Sequence, residues 1–367
     1  MTLAVNIAQS GSNNVTFRNR IINGAMTIAQ YGTSTALPTG SSNGFAADRF
    51  RGFNVGTGAC SIIQASNVPS STYGFINSVQ IDVTTADTSI AAGELYMIRQ
   101  TIEGLNITDL AWGTANAKTI TISFWVSSSK TGTHFVAFKN SAQDRCYAAS
   151  YSVSVADTWE FKTITVAGDQ SGTWLTTNGT GIQVTWALAV GSTYQTATAN
   201  VWAAGDGYAT SAQVNVMDST ANNFYITGVQ LEAGTTASPF EYRQYGTELA
   251  LCQRYYEQWN GASNYTPAGT GLASGTTSVI FAWIYKVTKR TAAVSLVSSS
   301  AAALSPSNGS GSVTVSNVVQ IVGVTQVNDQ SMMVQAGVAT TPFTTGQASI
   351  VYLTNASTNY IAASAEL

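Results

Sequence analysis

TISFWVSSS, Thr121–Ser129, alternates without a slip. Ile122, Phe124 and Val126 fall on one side of an extended chain, Ser123, Trp125 and Ser127 on the other. A period of two is what a strand with one face in a core requires, because successive side chains leave a pleated backbone on opposite faces. The same rhythm recurs in FKTITVAG, Phe161–Gly168, and in IQVTWALAV, Ile182–Val190, where Ile182, Val184, Trp186, Leu188 and Val190 are expected to share a face. Asn178-Gly179 marks a turn ahead of the latter. HFVAF after Gly132 and NNFYITGVQLEAG, Asn222–Gly234, extend the series.

Outward from this centre, Met1 to about Thr16 reads as an N-terminal arm. Phe17–Gln30 is dense in β-formers around Asn23-Gly24, and Tyr31–Asn43 reads as a Gly/Ser/Thr/Pro loop before FAADRFRGF, Phe45–Phe53. GTELALCQRYYEQW, Gly246–Trp259, breaks the strand rhythm with good helix formers, and places Leu249, Cys252 and Tyr256 at i, i+3, i+7. Beyond it, Val279–Val287, Ala293–Val297, Ser312–Val324, Met332–Val338 and Ala348–Leu353 read as strands. The expectation is an all-β chain: a jelly-roll β-sandwich over 17–245, a helical linker over 246–259, and a smaller β-sandwich over 260–367.

Of the 367 residues only 9% are charged, while 44% are hydrophobic, so the chain can bury a core and is not expected to be disordered. Net charge is −3, and the densest basic stretch, Lys286–Arg290, holds three cations. That leaves no footprint for nucleic acid, which needs clustered cations to neutralise phosphates. No apolar run is long enough for a membrane helix, and Met1–Gln9 lacks the basic start of a signal peptide. Cys60, Cys146 and Cys252 form no CxxC pair and read as buried free thiols.

Four stretches carry a resemblance: NRIINGAMTIAQYG with FAADRF (19–32 and 45–50), TWEFKTITVAGDQSGTW (158–174), the run from VWAAGDGYAT to ELALCQRYYE (201–257), and VIFAWIYKVTKRTAAV with the closing ASAEL (279–294 and 363–367). Together they resemble bacteriophage and prophage tail-fibre-type virion proteins with a jelly roll similar to carbohydrate-binding modules. The succession VQLEAG, SPFEYR, ELALCQRYYE is the most specific part. The resemblance implies a structural protein of the phage particle, made in the host cytoplasm, often trimeric, partnered by other virion proteins and by host surface polysaccharide. It implies no catalytic residues. A purely architectural part, such as a head fibre, decoration or tail connector, is the alternative, and a polysaccharide depolymerase a third reading.

No residue pattern selects an enzyme. His134 stands alone in GTHFVAF and reads as a turn-edge or partly buried polar residue. The carboxylates Asp144, Asp157, Asp169, Asp206, Asp218 and Glu232 show no pair spacing and suit turns. Aromatic rings are the main resource for stacking on a sugar face. Trp125, facing away from the Phe124 side, and Trp202, with the neighbouring Tyr147 and Tyr151, are the candidate carbohydrate-binding residues. Packing inside the sandwich or at a subunit interface is the competing reading for each. No cofactor is expected. Jelly rolls of this type can carry a structural calcium, for which Asp48, Asp218 or Glu232 are the conceivable ligands, set against plain turn or ion-pair roles. The Leu249, Cys252, Tyr256 strip is the candidate interface of a homo-oligomer, with a cap at the domain junction as the alternative.

Overall fold

The computed structural model describes residues 17–260, 266–299, 303–307, 318–338, 343–353 and 359–367. The expected arm, 1–16, and the first part of the expected strand Ser312–Val324 lie outside the described residues. The chain divides into two compact units, the first running through Glu248 and the second from Leu249 to Leu367.

The first unit is a jelly-roll-type β-sandwich. Its strands are β1 (Ser34–Leu37), β2 (Gly40–Phe45), β3 (Arg51–Gly56), β4 (Ala59–Ala65), β5 (Ser78–Thr85), β6 (Leu95–Glu103), β7 (Ile120–Ser128), β8 (Gly132–Lys139), β9 (Arg145–Val153), β10 (Glu160–Val166), β11 (Thr180–Val190), β12 (Trp202–Ala204) and β13 (Asn223–Ala233). One sheet has the order β1-β4-β5-β13-β7-β10, the other β12-β9-β8-β11-β6-β3-β2. The core between them takes Ile122, Phe124 and Val126 from β7, and Ile182, Val184, Trp186 and Leu188 from β11, as their alternation requires. Each such side chain, fully removed from water, contributes about 1.5–3 kcal/mol.

Val190 departs from the expected face. A register shift against β6 between Ala187 and Ala189 inserts an extra residue. Ala189 therefore joins the main core and Val190 turns to the other side of the sheet, beside Leu95, Met97 and Tyr208. A bulge of this kind reverses the inside–outside phase of everything beyond it.

Three further expectations are corrected. Tyr31–Asn43 is not only a loop, because it contains β1 and most of β2, which belong to opposite sheets. Phe17–Gln30 forms no strand. Its asparagines occupy the backbone instead: Asn23 Oδ1 accepts from Ile28 N at 3.0 Å, and its Nδ2 donates to the carbonyls of Ile28 and Asp48 at 2.9 and 3.0 Å. Asn19 Oδ1 accepts from Ile21 N and Leu231 N, both at 3.0 Å. Side-chain bonds of this sort compete with ladder pairing. Third, the helix α1 covers Tyr245–Gln253 only, and the expected linker's last residues form a strand, Tyr256–Asn260.

That strand, β14, opens the strands of the second unit, followed by β15 (Thr266–Gly275), β16 (Ser278–Ile284), β17 (Ser295–Ser298), β18 (Leu304–Ser307), β19 (Val318–Val327), β20 (Ser331–Val338), β21 (Ala348–Leu353) and β22 (Tyr360–Ser364). They form a three-stranded sheet, β14-β22-β17, and a six-stranded sheet, β18-β21-β15-β16-β20-β19. Phe281, Trp283, Val334, Val351 and Ile361 share its core. A fully buried ion pair, Lys289 Nζ to Glu257 Oε2 at 3.0 Å, sits in this unit, and Lys289 also donates to the Gln253 carbonyl at 2.5 Å.

Candidate glycan-binding groove and its surroundings

The outer face of the six-stranded sheet of the first unit is built of hydroxyls, amides and a few rings. On β7 the outward residues are Thr121, Ser123, Trp125 and Ser127, set opposite the core positions. Antiparallel register puts Phe161 of β10 directly beside Trp125 on one side and Thr227 of β13 on the other. The rings of Trp125 and Phe161 lie 5.3 Å apart, centroid to centroid. Tyr73 approaches Trp125 from a loop, at 4.3 Å.

Tyr73 is held by local turn chemistry. It ends a short 3-10 turn, Ser71–Tyr73, whose cap Ser70 precedes it and whose exit Gly74 has φ 75°. Tyr242 hydroxyl donates to the Tyr73 carbonyl. Beneath, Phe75 packs edge-on to Phe240 at 5.1 Å and against Tyr242 at 5.5 Å. Gly228 of β13 makes room for Phe75: its φ is +59°, and a Cβ there would come within 2.6 Å of the Phe75 ring. Ladder partners of β13 skip from Thr227 to Gln230 at this point.

The result is an open groove of about 610 Å³ lined by Tyr73, Phe75, Ser123, Trp125, Phe161, Ser238, Phe240 and Tyr242 among others. Tyr73, Phe161 and Tyr242 are 49%, 49% and 55% exposed. Large rings left in water at this density give a surface for a ligand with an apolar face.

A second set of groups closes the unit next to the groove. Glu241 accepts from Phe17 N at 2.6 Å and from Asn19 N at 2.8 Å. Arg243 donates to the carbonyls of Ile21, at 3.1 Å, and Asn19, and pairs with Glu241 and Glu248 at 3.4 and 3.3 Å. Glu248 in turn accepts from Asn23 N. Upstream, Glu232 accepts from Ser238 N at 2.8 Å and Ser238 Oγ at 2.6 Å, and Gln230 Oε1 accepts from Glu241 N at 2.8 Å. The residues of VQLEAG, SPFEYR and the start of ELALCQRYYE are thus the latch that ties the start of the described chain to β13 and α1.

The structure separates the expected carbohydrate-binding residues. Trp125 lines the groove. Trp202 is packed in an aromatic knot with Trp112, Trp174 and Tyr147 at 5.3, 5.4 and 5.2 Å, and its indole N–H donates to Ala167 O at 2.7 Å. Tyr147 and Tyr151 lie in the main core, 9% and 7% exposed, with no face free for a sugar to stack on. Their strand, β9, turns these two rings inward because Tyr147 and Tyr151 are four residues apart on one face. His134 is fully buried, not at a turn edge: its ring stacks near Tyr151 at 5.7 Å, Nε2 meets the Lys130 carbonyl at 2.9 Å, and burial lowers its pKa.

Cys60, Cys146 and Cys252 are free and buried. For Cys252 and Tyr256 this corrects the interface expectation: both are closed off within the chain, and Tyr256 stands on β14 opposite Ser364, so no helical strip joins it to Leu249. Leu249 is half-buried. Among the described residues no three His, Cys, Asp or Glu side chains converge on one point. Asp48 accepts from Gln30 N and Nε2 at 2.7 and 2.6 Å, Asp218 is bound by Lys130 and Asn222 at 2.7 Å each, and Glu232 belongs to the latch. Of the other carboxylates, Asp169 takes the Arg145 guanidinium through both oxygens, at 2.7 and 2.8 Å.

Tyr73, Phe161, Phe240 and Tyr242 were not singled out from the sequence. Phe161 had a readable signal, since it alternates with Thr163 and Thr165 against Ile164 and Val166. The other three reach the groove through loops, where no periodicity points to a face.

No protein-family model and no curated protein matches the chain. Solved structures similar to part of it include the enzymatically active domain of tailspike protein 4 of bacteriophage CBA120 (TM-score 0.29, 11% identity, 59% of this chain, 22% of that one). A family 61 carbohydrate-binding module in complex with β-1,4-galactotriose gives a TM-score of 0.27 at 10% identity, over 59% of this chain and 99% of that one. A family 11 carbohydrate-binding module of a Clostridium thermocellum cellulase gives 0.26 at 11%, over 54% and 98%. This chain spans about a fifth of the tailspike.

Proposed function

We propose that this chain is a glycan-binding structural component of a bacteriophage particle, a tail fibre or related appendage, that meets host surface polysaccharide through the Tyr73–Trp125–Phe161 groove and catalyses no reaction. The observation that carries the binding half is the row of partly exposed rings, Phe161, Trp125 and Tyr73, on a sheet face otherwise made of hydroxyls and amides. Rings supply apolar area for a pyranose face at low entropy cost. The virion setting is supported by the sequence resemblance alone, and a trimeric state belongs to the same proposal.

The test is a glycan array probed with the purified protein, followed by binding to cells that display the retained glycan. Saturable binding is expected, weakened roughly 30-fold by Trp125→Ala, the loss typical of a central aromatic anchor. Trp202→Phe should leave affinity unchanged, because that indole is spent on an internal bond. Retention of full affinity by Trp125→Ala would remove the groove from the proposal. Absence of the protein from purified phage particles by mass spectrometry would remove the virion.

A further inference from the structure

The outer face of the other sheet holds a second, chemically different surface. Arg51 of β3 and Arg99 of β6 are direct cross-strand partners. Both guanidiniums lean on one ring, Phe53, each with Cζ 4.8 Å from its centroid. Like charges placed directly opposite on a sheet destabilise it. Only 33 of the 367 residues are charged, 15 basic and 18 acidic, so two arginines in register are a costly arrangement for this chain to keep. Burial holds the Arg51 guanidinium below its usual range, and the Arg99 charge adds to that against the opposing influence of Tyr31.

Nothing in the described residues neutralises the pair. Arg51 Nε and Nη2 donate to one amide oxygen, Asn43 Oδ1, the first at 2.9 Å. Arg99 Nε donates to Thr185 Oγ1 at 3.3 Å, and its Nη2 to the Tyr208 hydroxyl at 2.9 Å. These partners are neutral, and they fix both forks. Asp206, which reaches this side of the sheet, is taken up by the fully buried Lys139. Phe45 flanks the pair, 5.6 Å from Arg51 Cζ and stacked on Tyr31 at 4.5 Å, while the buried Tyr208 ring backs Arg99 at 5.8 Å from its Cζ. A net-negative protein has thus set two oriented guanidiniums, with no carboxylate paired to either among the described residues, beside the Phe45 and Phe53 rings. Planar guanidiniums are matched to carboxylates, which they bind by charge-assisted, often bidentate hydrogen bonds.

We propose that Arg51 and Arg99 form a second ligand site that binds the carboxylate of an acidic sugar residue, a uronic acid within a polysaccharide, with the half-buried Phe45 beside the sugar ring. This site is independent of the Trp125 groove and stands or falls separately.

The test is isothermal titration of the full chain with oligogalacturonate and oligomannuronate, their methyl esters, and inorganic phosphate. Binding of at least one oligouronate is expected, weakened by added salt, absent for its methyl ester, and unchanged in Trp125→Ala. Arg51→Gln should weaken it about tenfold or more, the loss of a charge-assisted hydrogen bond. Arg51→Lys, which keeps the charge without the fork, should fall between, and circular dichroism checks that both variants fold. No binding of either oligouronate, equal binding of the methyl esters, or an unchanged affinity in Arg51→Gln would each overturn the proposal. Competition by phosphate at the same concentration as the oligomer would overturn its sugar component. Loss of oligouronate binding in Trp125→Ala would place the ligand in the groove instead.

Discussion

Asp48 is 1% exposed, and burial raises its carboxyl to about 6, against the hydrogen bonds from Gln30 and the charge of Arg49, which lower it. Its unfolded value is near 3.8. The folded chain therefore holds this proton more tightly than the unfolded chain does. The stabilising contribution is fully present below about pH 4 and is lost as pH rises through about 6. From the size of the shift, Asp48 makes the protein about 2 kcal/mol less stable at pH 7 than at pH 4, taken alone. Asp48→Asn, which can still accept from the Gln30 backbone N–H and can donate to a rotated Gln30 amide, is expected to remove that dependence. Urea unfolding at pH 4 and pH 7 measures it: wild type and variant should diverge between the two pH values, and parallel behaviour would show that Asp48 is not the group responsible. Asp48 has both oxygens occupied by one neighbour 18 residues away, a partnership sequence does not display.

At the scale of elements, the latch makes a sharper expectation. Arg243 has a side chain only 7% exposed, pairs with two carboxylates and holds two backbone carbonyls. Arg243→Ala leaves Glu241 and Glu248 facing each other without a cation, and breaking a buried pair of this kind costs about 3–5 kcal/mol. Chemical denaturation should show that loss in the first unit, and a change under about 1 kcal/mol would mean solvent replaces the guanidinium. Strands with one face in the core were legible because their side chains obey a period of two: Ile120–Ser128, Thr180–Val190 and Asn223–Ala233 lie within a residue or two of where alternation put them. The latch was quoted as a signature, but its geometry was not legible, since its bonds join residues more than 200 positions apart. Gly246–Trp259 failed in its second half for a different reason. Pairing of Tyr256–Asn260 with Tyr360–Ser364 overrode local helix preference, and a partner a hundred residues downstream leaves no mark on the segment itself. Within the groove, Trp125 was readable from the strand that carries it, whereas Tyr73 and Tyr242 arrive on loops.

At the scale of the whole molecule, the chain carries two main cores with no residue in common, one around Phe124, Trp186 and Phe224 and one around Phe281, Trp283 and Val351. Each is closed by its own buried charge: Arg243 with Glu241 and Glu248 in the first, Lys289 with Glu257 in the second. Units with separate cores need not unfold in one step. Scanning calorimetry is expected to resolve two transitions. Glu257→Gln strips the countercharge from Lys289, an ammonium with no exposed side-chain surface, and burial, which already lowers its pKa, then acts without the opposing carboxylate. The expected cost is again about 3–5 kcal/mol, borne by one transition only. Arg243→Ala should lower the other and leave that one in place. Because Trp125 and the Arg51–Arg99 pair belong to the first unit, Glu257→Gln should also keep glycan and oligouronate affinity intact at temperatures below its lowered transition. A single transition displaced by both variants would mean that the two cores melt together, and that the binding surfaces depend on the stability of the whole chain.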